Sequence, residues 1–284
     1  MVELVSIYEE KIMTDKKYTA KVMWTGGMDS TLRILQLSYL DIDIQPYYVY
    51  VKKRLTRDKE VDTVNKITKM IKNRSTTKAN ILPLKILDED DFRPFEQDIV
   101  DAYKRLIKNQ HISIQNLLLS QVTRNIPGLE ISFEKTKNSN DTSLVDNVLG
   151  QKGIREEVDE TGEIYCYITE KTGKDEFTVF GNYKFPKRII TLTKEDEVSE
   201  FEKMNAMDIA KETWFCQNPV GDEACGYCLV CRNTIHELGT WRLTESGKCR
   251  YKHWRYYLLK HKIKKGLSLL FNGKLINYFR NKYK

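Results

Sequence analysis

The feature that most constrains this chain is a short string near its beginning, Trp24-Thr25-Gly26-Gly27-Met28-Asp29-Ser30-Thr31. Before it, Lys21-Val22-Met23-Trp24 is short and apolar and predicts a buried strand stopped by the glycines. After it, Leu32, Leu35, Leu37 and Leu40 predict a helix with an apolar side from Ser30 to Leu40. Two adjacent glycines let the backbone turn tightly and approach a ligand closely. Free N–H groups at the start of a helix, with the helix dipole behind them, favour an anion there. Ser30 and Thr31 offer hydroxyl donors, and Asp29 suits orienting the loop or helping to hold Mg²⁺. The simpler alternative is a glycine turn with Asp29 or Ser30 as the helix cap. No G-K-[ST] follows, so this is not a Walker loop, and no G-x-G-x-x-G is present for a dinucleotide fingerprint.

The rest of the chain alternates between the two periods. Ile44–Val51 and Asn80–Leu87 predict strands. Asp58–Asn73, Phe95–Ile107 and Ile114–Val122 predict helices. Strands and helices in alternation imply an α/β fold with a mainly parallel sheet flanked by helices. With 284 residues, 40% apolar and 31% charged, the chain suits one large α/β domain or two modest ones. That composition excludes a disordered chain, a collagen and a disulfide-stapled module. Glu134–Val148 turns polar and reads as an exposed loop, Glu163–Thr169 and Phe177–Tyr183 as the two strands of a hairpin, and Ile189–Leu192 as a last short strand. Thr193 before acidic residues predicts a capped helix reaching about Met204.

Cys216, Cys225, Cys228 and Cys231 follow in the pattern C-x8-C-G-x-C-x-x-C. Four thiolates so spaced complete a closed tetrahedral Zn²⁺ site, which is structural because no position is left for water. Buried reduced cysteines, a thiol-redox motif or an iron–sulfur cluster are the competing readings. Cys166 and Cys249 read as packing residues. The N-terminal stretch is acidic where a secretion signal wants an apolar run, and no window holds about 18 uninterrupted apolar residues. The expectation is a cytoplasmic protein without a membrane span, whose six cysteines stay reduced or bind metal.

The net charge of +7 is unevenly placed. Residues 246–284 contain twelve Lys or Arg and no Asp or Glu, so residues 1–245 carry 35 basic and 40 acidic groups. Tyr251, Trp254, Tyr256, Tyr257, Phe271, Tyr278 and Phe279 interleave with the basic residues. Such a tail suits an acidic partner, whether a nucleic acid, a membrane surface or a protein, or a helical extension packed on the body.

Thr25-Gly26-Gly27-Met28-Asp29-Ser30 is similar to the S-G-G-x-D-S signature of the PP-loop ATP pyrophosphatases, with Thr25 keeping the hydroxyl of the first Ser. Together with the four cysteines, and with the run from Phe185-Pro186 through Thr193-Lys194 to Cys216, it resembles the 7-cyano-7-deazaguanine synthase family. The resemblance implies an adenine nucleotide α-hydrolase-like PP-loop fold over residues 1–212, with 134–184 variable. A four-cysteine zinc-binding region would follow at 213–245, then a basic helical tail at 246–284. It implies an ATP-dependent ligase that uses Mg²⁺ and adenylates a small carboxylate, 7-carboxy-7-deazaguanine or an analogue. Ammonia or another amine would then give the amide, and dehydration the nitrile. Thr25 to Thr31 would hold the nucleotide, with Asp29, Ser30 and Lys194 in the catalytic set and Asn116 toward the substrate; a homodimer is compatible with it. Solvated surface is the simpler reading of Lys194. The chain departs from the family where Ile114-Gln115-Asn116 replaces Gly-Arg-Asn, and where an Asp-x-Ser-Gly-Tyr loop with Cys-Arg has no counterpart in 134–183. The substrate side is therefore altered, and a different carboxylate or acceptor is open. A tRNA-modifying PP-loop enzyme and a non-catalytic nucleotide-binding partner protein are the alternatives.

Overall fold

The computed structural model describes residues 17–110, 112–135 and 153–263. They fall into two units that meet in sequence between Trp214 and Phe215. The expected polar loop lies almost wholly outside the described residues, as does the tail beyond 263.

The first unit is built on a parallel sheet. β1 (Thr19–Met23) leads through the glycine loop into α1 (Met28–Leu37) and then β2 (Asp43–Tyr50). α2 (Arg57–Lys72) follows, then β3 (Asn80–Ile81) and β4 (Lys85–Asp88), both of which pair with β2. The expected third strand is thus two short ones with Pro83 between them, since proline has no N–H to give a ladder. A 3₁₀ turn at Glu89–Phe92, α3 (Gln97–Leu106) and α4 (Gln115–Asn125) cross back to β5 (Leu129–Glu130), which pairs with the other side of β1. Every pairing in this sheet is parallel. β2 is buried along all but its two ends, and β1 is buried at Ala20, Val22 and Met23, so the pair reads as apolar runs rather than alternating ones.

The hairpin differs from expectation. β7 (Ile164–Ile168) does pair antiparallel, but with β6 (Ile154–Val158), and 177–180 lie in a helix, α5 (Lys174–Phe180). The β6 sequence IREEV hides its strand character because most of its residues are exposed at an edge. In α5, Val179 and Phe180 are fully buried and Asp175 and Glu176 occupy the first turn; their alternation is too short to distinguish the two periods. Asp175 also forms a two-pronged bridge to Arg105 of α3, at 2.7 and 2.9 Å.

β8 (Phe185–Pro186) pairs antiparallel with β7, while Lys184 just before it bridges parallel to Glu130. The two sheets are therefore joined through one backbone segment. The expected strand at Ile189–Leu192 is instead the helical turn α6 (Lys187–Ile190), started by Pro186, whose ring fixes φ for a helix entry. α7 (Lys194–Lys203) and α8 (Met207–Glu212) complete the unit. Thr193 caps α7 with a full capping box: its hydroxyl accepts from Asp196 N–H, and the Asp196 carboxylate accepts from Thr193 N–H.

The second unit contains the four cysteines, α9 (Leu229–Leu238), α10 (Glu245–Lys252) and a helical stretch at 254–263. No helix among the described residues is long and apolar enough to cross a membrane.

Candidate functional site

The glycine loop leaves the carboxyl end of β1. That strand pairs with β2 on one side and with β5 on the other, so the chain's connections diverge there. In open α/β sheets this switch point is where ligands bind.

Three contacts shape the loop. Trp24 N–H extends the ladder to the Tyr47 carbonyl at 2.8 Å, and the Trp24 indole donates to the Thr31 hydroxyl at 2.9 Å. Trp214 N–H donates to the Gly26 carbonyl at 2.8 Å. Trp24 and Thr31 are wholly buried, so Thr31 braces the loop from beneath rather than lining its mouth. Gly26 has φ +75°, and a Cβ there would lie 2.9 Å from the Thr63 methyl, so only glycine fits.

Gly27 meets a different surrounding. A Cβ on it would lie 3.1 Å from an Asp29 carboxylate oxygen, 3.5 Å from the Thr25 hydroxyl and 3.9 Å from the Ser30 hydroxyl. The missing side chain thus leaves a small polar cradle at the N-terminus of α1. Thr25, Gly27 and Asp29 are partly exposed, whereas Gly26, Met28 and Ser30 are buried.

Two more side chains act on the Asp29 carboxyl of this cradle. Glu134, four residues past β5, pairs with Lys194 at the first position of α7. Both are close enough to Asp29 to act on it electrostatically. Burial, and then the Glu134 carboxylate, push the Asp29 carboxyl up to about 7, against the pull of the Ser30 N–H and the Lys194 ammonium. Asn116 has other partners. It is buried in the first turn of α4, and its carbonyl accepts from the Ser120 hydroxyl at 2.6 Å and the Tyr183 hydroxyl at 3.2 Å. Its side-chain oxygen accepts from the same Tyr183 hydroxyl at 3.4 Å, so its contacts among the described residues are with the core.

Behind the loop, α1 is locked to the sheet by a buried polar network. Arg33, one turn past Ser30, donates to Glu130 at 2.6 Å, to Glu163 at 2.6 Å and to the Tyr165 hydroxyl at 2.6 Å. Tyr165 donates in turn to Glu130 at 2.8 Å. The Lys184 ammonium sits 3.6 Å from the centre of the Tyr165 ring and donates to Tyr18 at 2.9 Å. Desolvation holds the Lys184 ammonium below the usual lysine range, partly offset by Glu130 and Asp159. Arg33 and Glu130 have no exposed side-chain surface, so the helix that presents the cradle cannot shift without stranding a buried charge.

In the second unit, the Sγ atoms of Cys216, Cys225, Cys228 and Cys231 lie within 4.8 Å of one another, and all four residues are buried. Cys225 and Cys231 Sγ are 3.7 Å apart. Tetrahedral ligands at a Zn–S bond of about 2.3 Å would be separated by about 3.8 Å. Backbone N–H groups of Cys225, Cys228 and Cys231 point at the sulfurs of Cys216, Cys225 and Cys228, at 3.2, 3.2 and 3.4 Å, which favours thiolates. The four residues can hold a metal ion such as zinc.

α10 packs on this knot. Gly226 has φ +77°, and a Cβ there would collide with the Gly247 carbonyl. Arg250 donates to the carbonyls of Cys225 (3.0 Å) and Ala224 (3.1 Å) and pairs with Glu223 at 2.8 Å. The basic tail thus begins as part of the cysteine unit.

Sequence reasoning did not find Glu134, Arg33 or Glu130. Glu134 opens a polar stretch, and Arg33 sits mid-helix like a solvated residue. No protein-family model matches this sequence, and no curated protein matches it significantly.

Proposed function

We propose that the glycine loop binds ATP and that the protein is a PP-loop enzyme which adenylates a carboxylate for C–N bond formation, as in the 7-cyano-7-deazaguanine synthase family it resembles. The observation that carries this reading is the polar cradle of Thr25, Gly27, Asp29 and Ser30 at the switch point of a parallel sheet, with Lys194 and Glu134 brought to it.

A carboxylate oxygen is a poor leaving group and AMP a good one. The carboxylate attacks the α-phosphorus, the α–β bond breaks and pyrophosphate leaves. Ammonia or another amine then attacks the acyl carbon and expels AMP. The backbone N–H groups at the start of α1 and the Ser30 hydroxyl bind phosphate oxygens. Lys194 stabilises the charge that grows on the departing pyrophosphate. Asp29 and Glu134 bring two carboxylates to the place where a hard cation suits oxygen ligands, so they would hold Mg²⁺, which neutralises phosphate charge. No side-chain nucleophile is needed, and positioning does most of the work. The four cysteines would hold Zn²⁺ in a structural role.

The test is incubation with ATP, Mg²⁺, ammonia and 7-carboxy-7-deazaguanine, followed by mass spectrometry of AMP, pyrophosphate and the deazapurine, with Asp29→Ala as control. Amide or nitrile in the wild type alone supports the reading in full. AMP without a deazapurine product keeps the adenylation and rejects that substrate. No AMP with any carboxylate offered, from a protein that still binds ATP, leaves a nucleotide-binding partner protein.

A further inference from the structure

The helical stretch at 254–263 has two unlike sides. The inner side is occupied: Tyr257 stacks on Tyr227 with ring centres 6.1 Å apart, His261 lies 6.0 Å from the same ring, and the Arg232 guanidinium lies 4.1 Å over Trp254. The outer side carries Tyr256, Leu259 and Ile263, which are 61%, 59% and 53% exposed. Spacings of three and four place these three on one face. At about 100° per residue, Lys260 falls on one flank of that stripe and Arg255 and Lys262 on the other, and all three are exposed.

We infer that this face docks on an anionic lipid surface. An exposed aliphatic stripe flanked by long basic side chains is the pattern of a helix lying in the plane of a membrane interface. The charge fits, because residues 246–284 hold twelve Lys or Arg and no acid. A single-stranded nucleic acid would need open ring faces for its bases. Here Trp254 and Tyr257 are taken up by Arg232 and Tyr227, which leaves Tyr256 as the exposed aromatic ring of this stretch. The groups that face outward are chiefly aliphatic, which suits acyl chains better than bases.

The full-length protein would be sedimented with vesicles of phosphatidylcholine alone and of phosphatidylcholine with about one quarter phosphatidylserine. Binding is expected to be at least about tenfold stronger to the anionic vesicles and to weaken as salt is raised. Leu259→Ser with Ile263→Ser should abolish binding while metal content and circular dichroism stay unchanged, since both residues face outward. Lys260→Glu with Lys262→Glu should weaken it in the same way. Equal binding to both vesicles, no binding to either, or full binding by the serine variant would each overturn the proposal. So would a serine variant that lowers the oligomeric state without lipid, because a second copy would then cover the face. Preferential capture by a single-stranded RNA oligonucleotide that anionic vesicles fail to displace would overturn it as well.

Discussion

The ammonium of Lys194 pairs with the carboxylate of Glu134, sixty residues away in sequence, and both act on Asp29 at the mouth of the glycine loop. One element, α7, brings the cation. The chain leaving β5 brings the anion. Burial first and the Glu134 carboxylate second push the Asp29 carboxyl up to about 7, while the Ser30 N–H and the Lys194 ammonium pull it back.

Replacing either partner should move that balance in a known direction. Glu134→Gln removes a negative neighbour and should lower the pH at which Asp29 ionises. Lys194→Met removes a positive one and should raise it. If the reaction needs ionised Asp29, the acidic limb of the pH–rate profile shifts down in the first variant and up in the second. Shifts of the same sign in both would contradict the arrangement.

The same carboxyl carries a stability cost. Its folded pKa of about 7 lies above the ordinary carboxylate value, so the folded state keeps a proton that the unfolded state loses between about pH 4 and pH 7. Stability falls as pH rises through that window and is level above it. Asp29→Asn should therefore unfold at higher urea than the wild type at pH 8, by on the order of 1–4 kcal/mol, with the gap closing toward pH 4. A constant gap across pH would sink this explanation.

Gly26 and Gly27 should fail differently. Gly26→Ala forces a methyl into a left-handed backbone and against Thr63, and should cost about 1–3 kcal/mol of stability. Gly27→Ala has an ordinary φ of −68° and should stay within about 1 kcal/mol of the wild type. Its methyl enters the cradle, and ATP affinity should drop at least about tenfold, or about 1.4 kcal/mol. Calorimetric titration of both variants separates the backbone role from the cradle role.

Part of this site is legible from sequence and part is not. The strand, the two glycines and the helix are local, and so are the Thr193 cap and the cysteine spacing; each can be read within about twenty residues. Glu134 acquires meaning only because β5 runs beside β1, a pairing no local pattern encodes. Arg33 looks like a surface residue until Glu130, Glu163 and Tyr165 surround it. The segment at 174–180 is too short for its period to be read, and β6 is masked by the polar residues an exposed edge allows.

Removing Arg33 should be costly because buried Glu130 would lose its closest cation and keep only the Tyr165 hydroxyl and the Lys184 ammonium 3.9 Å away. Arg33→Met is expected to lose about 3–5 kcal/mol in urea unfolding, and adding Glu130→Leu should recover much of it. A loss below about 1 kcal/mol for the single variant would show that the network contributes little.

Metal removal should act locally. Purified protein is expected to carry one zinc per chain, and chelation should strip hydrogen-exchange protection from α9 and α10, because so small a unit depends on its cross-link. Cys228→Ser should reproduce the loss. Full protection in metal-free protein would refute the metal assignment.

The central claim is that the loop at the end of β1 binds ATP for cleavage between the α- and β-phosphates. The most direct measurement is ³¹P NMR of ATP and Mg²⁺ incubated with the protein, ammonia and a panel of carboxylates that includes 7-carboxy-7-deazaguanine. The account predicts AMP and pyrophosphate in equal amounts, dependent on a carboxylate and absent with Asp29→Ala. ADP and phosphate, or AMP formed equally well by the Asp29→Ala protein, would contradict it.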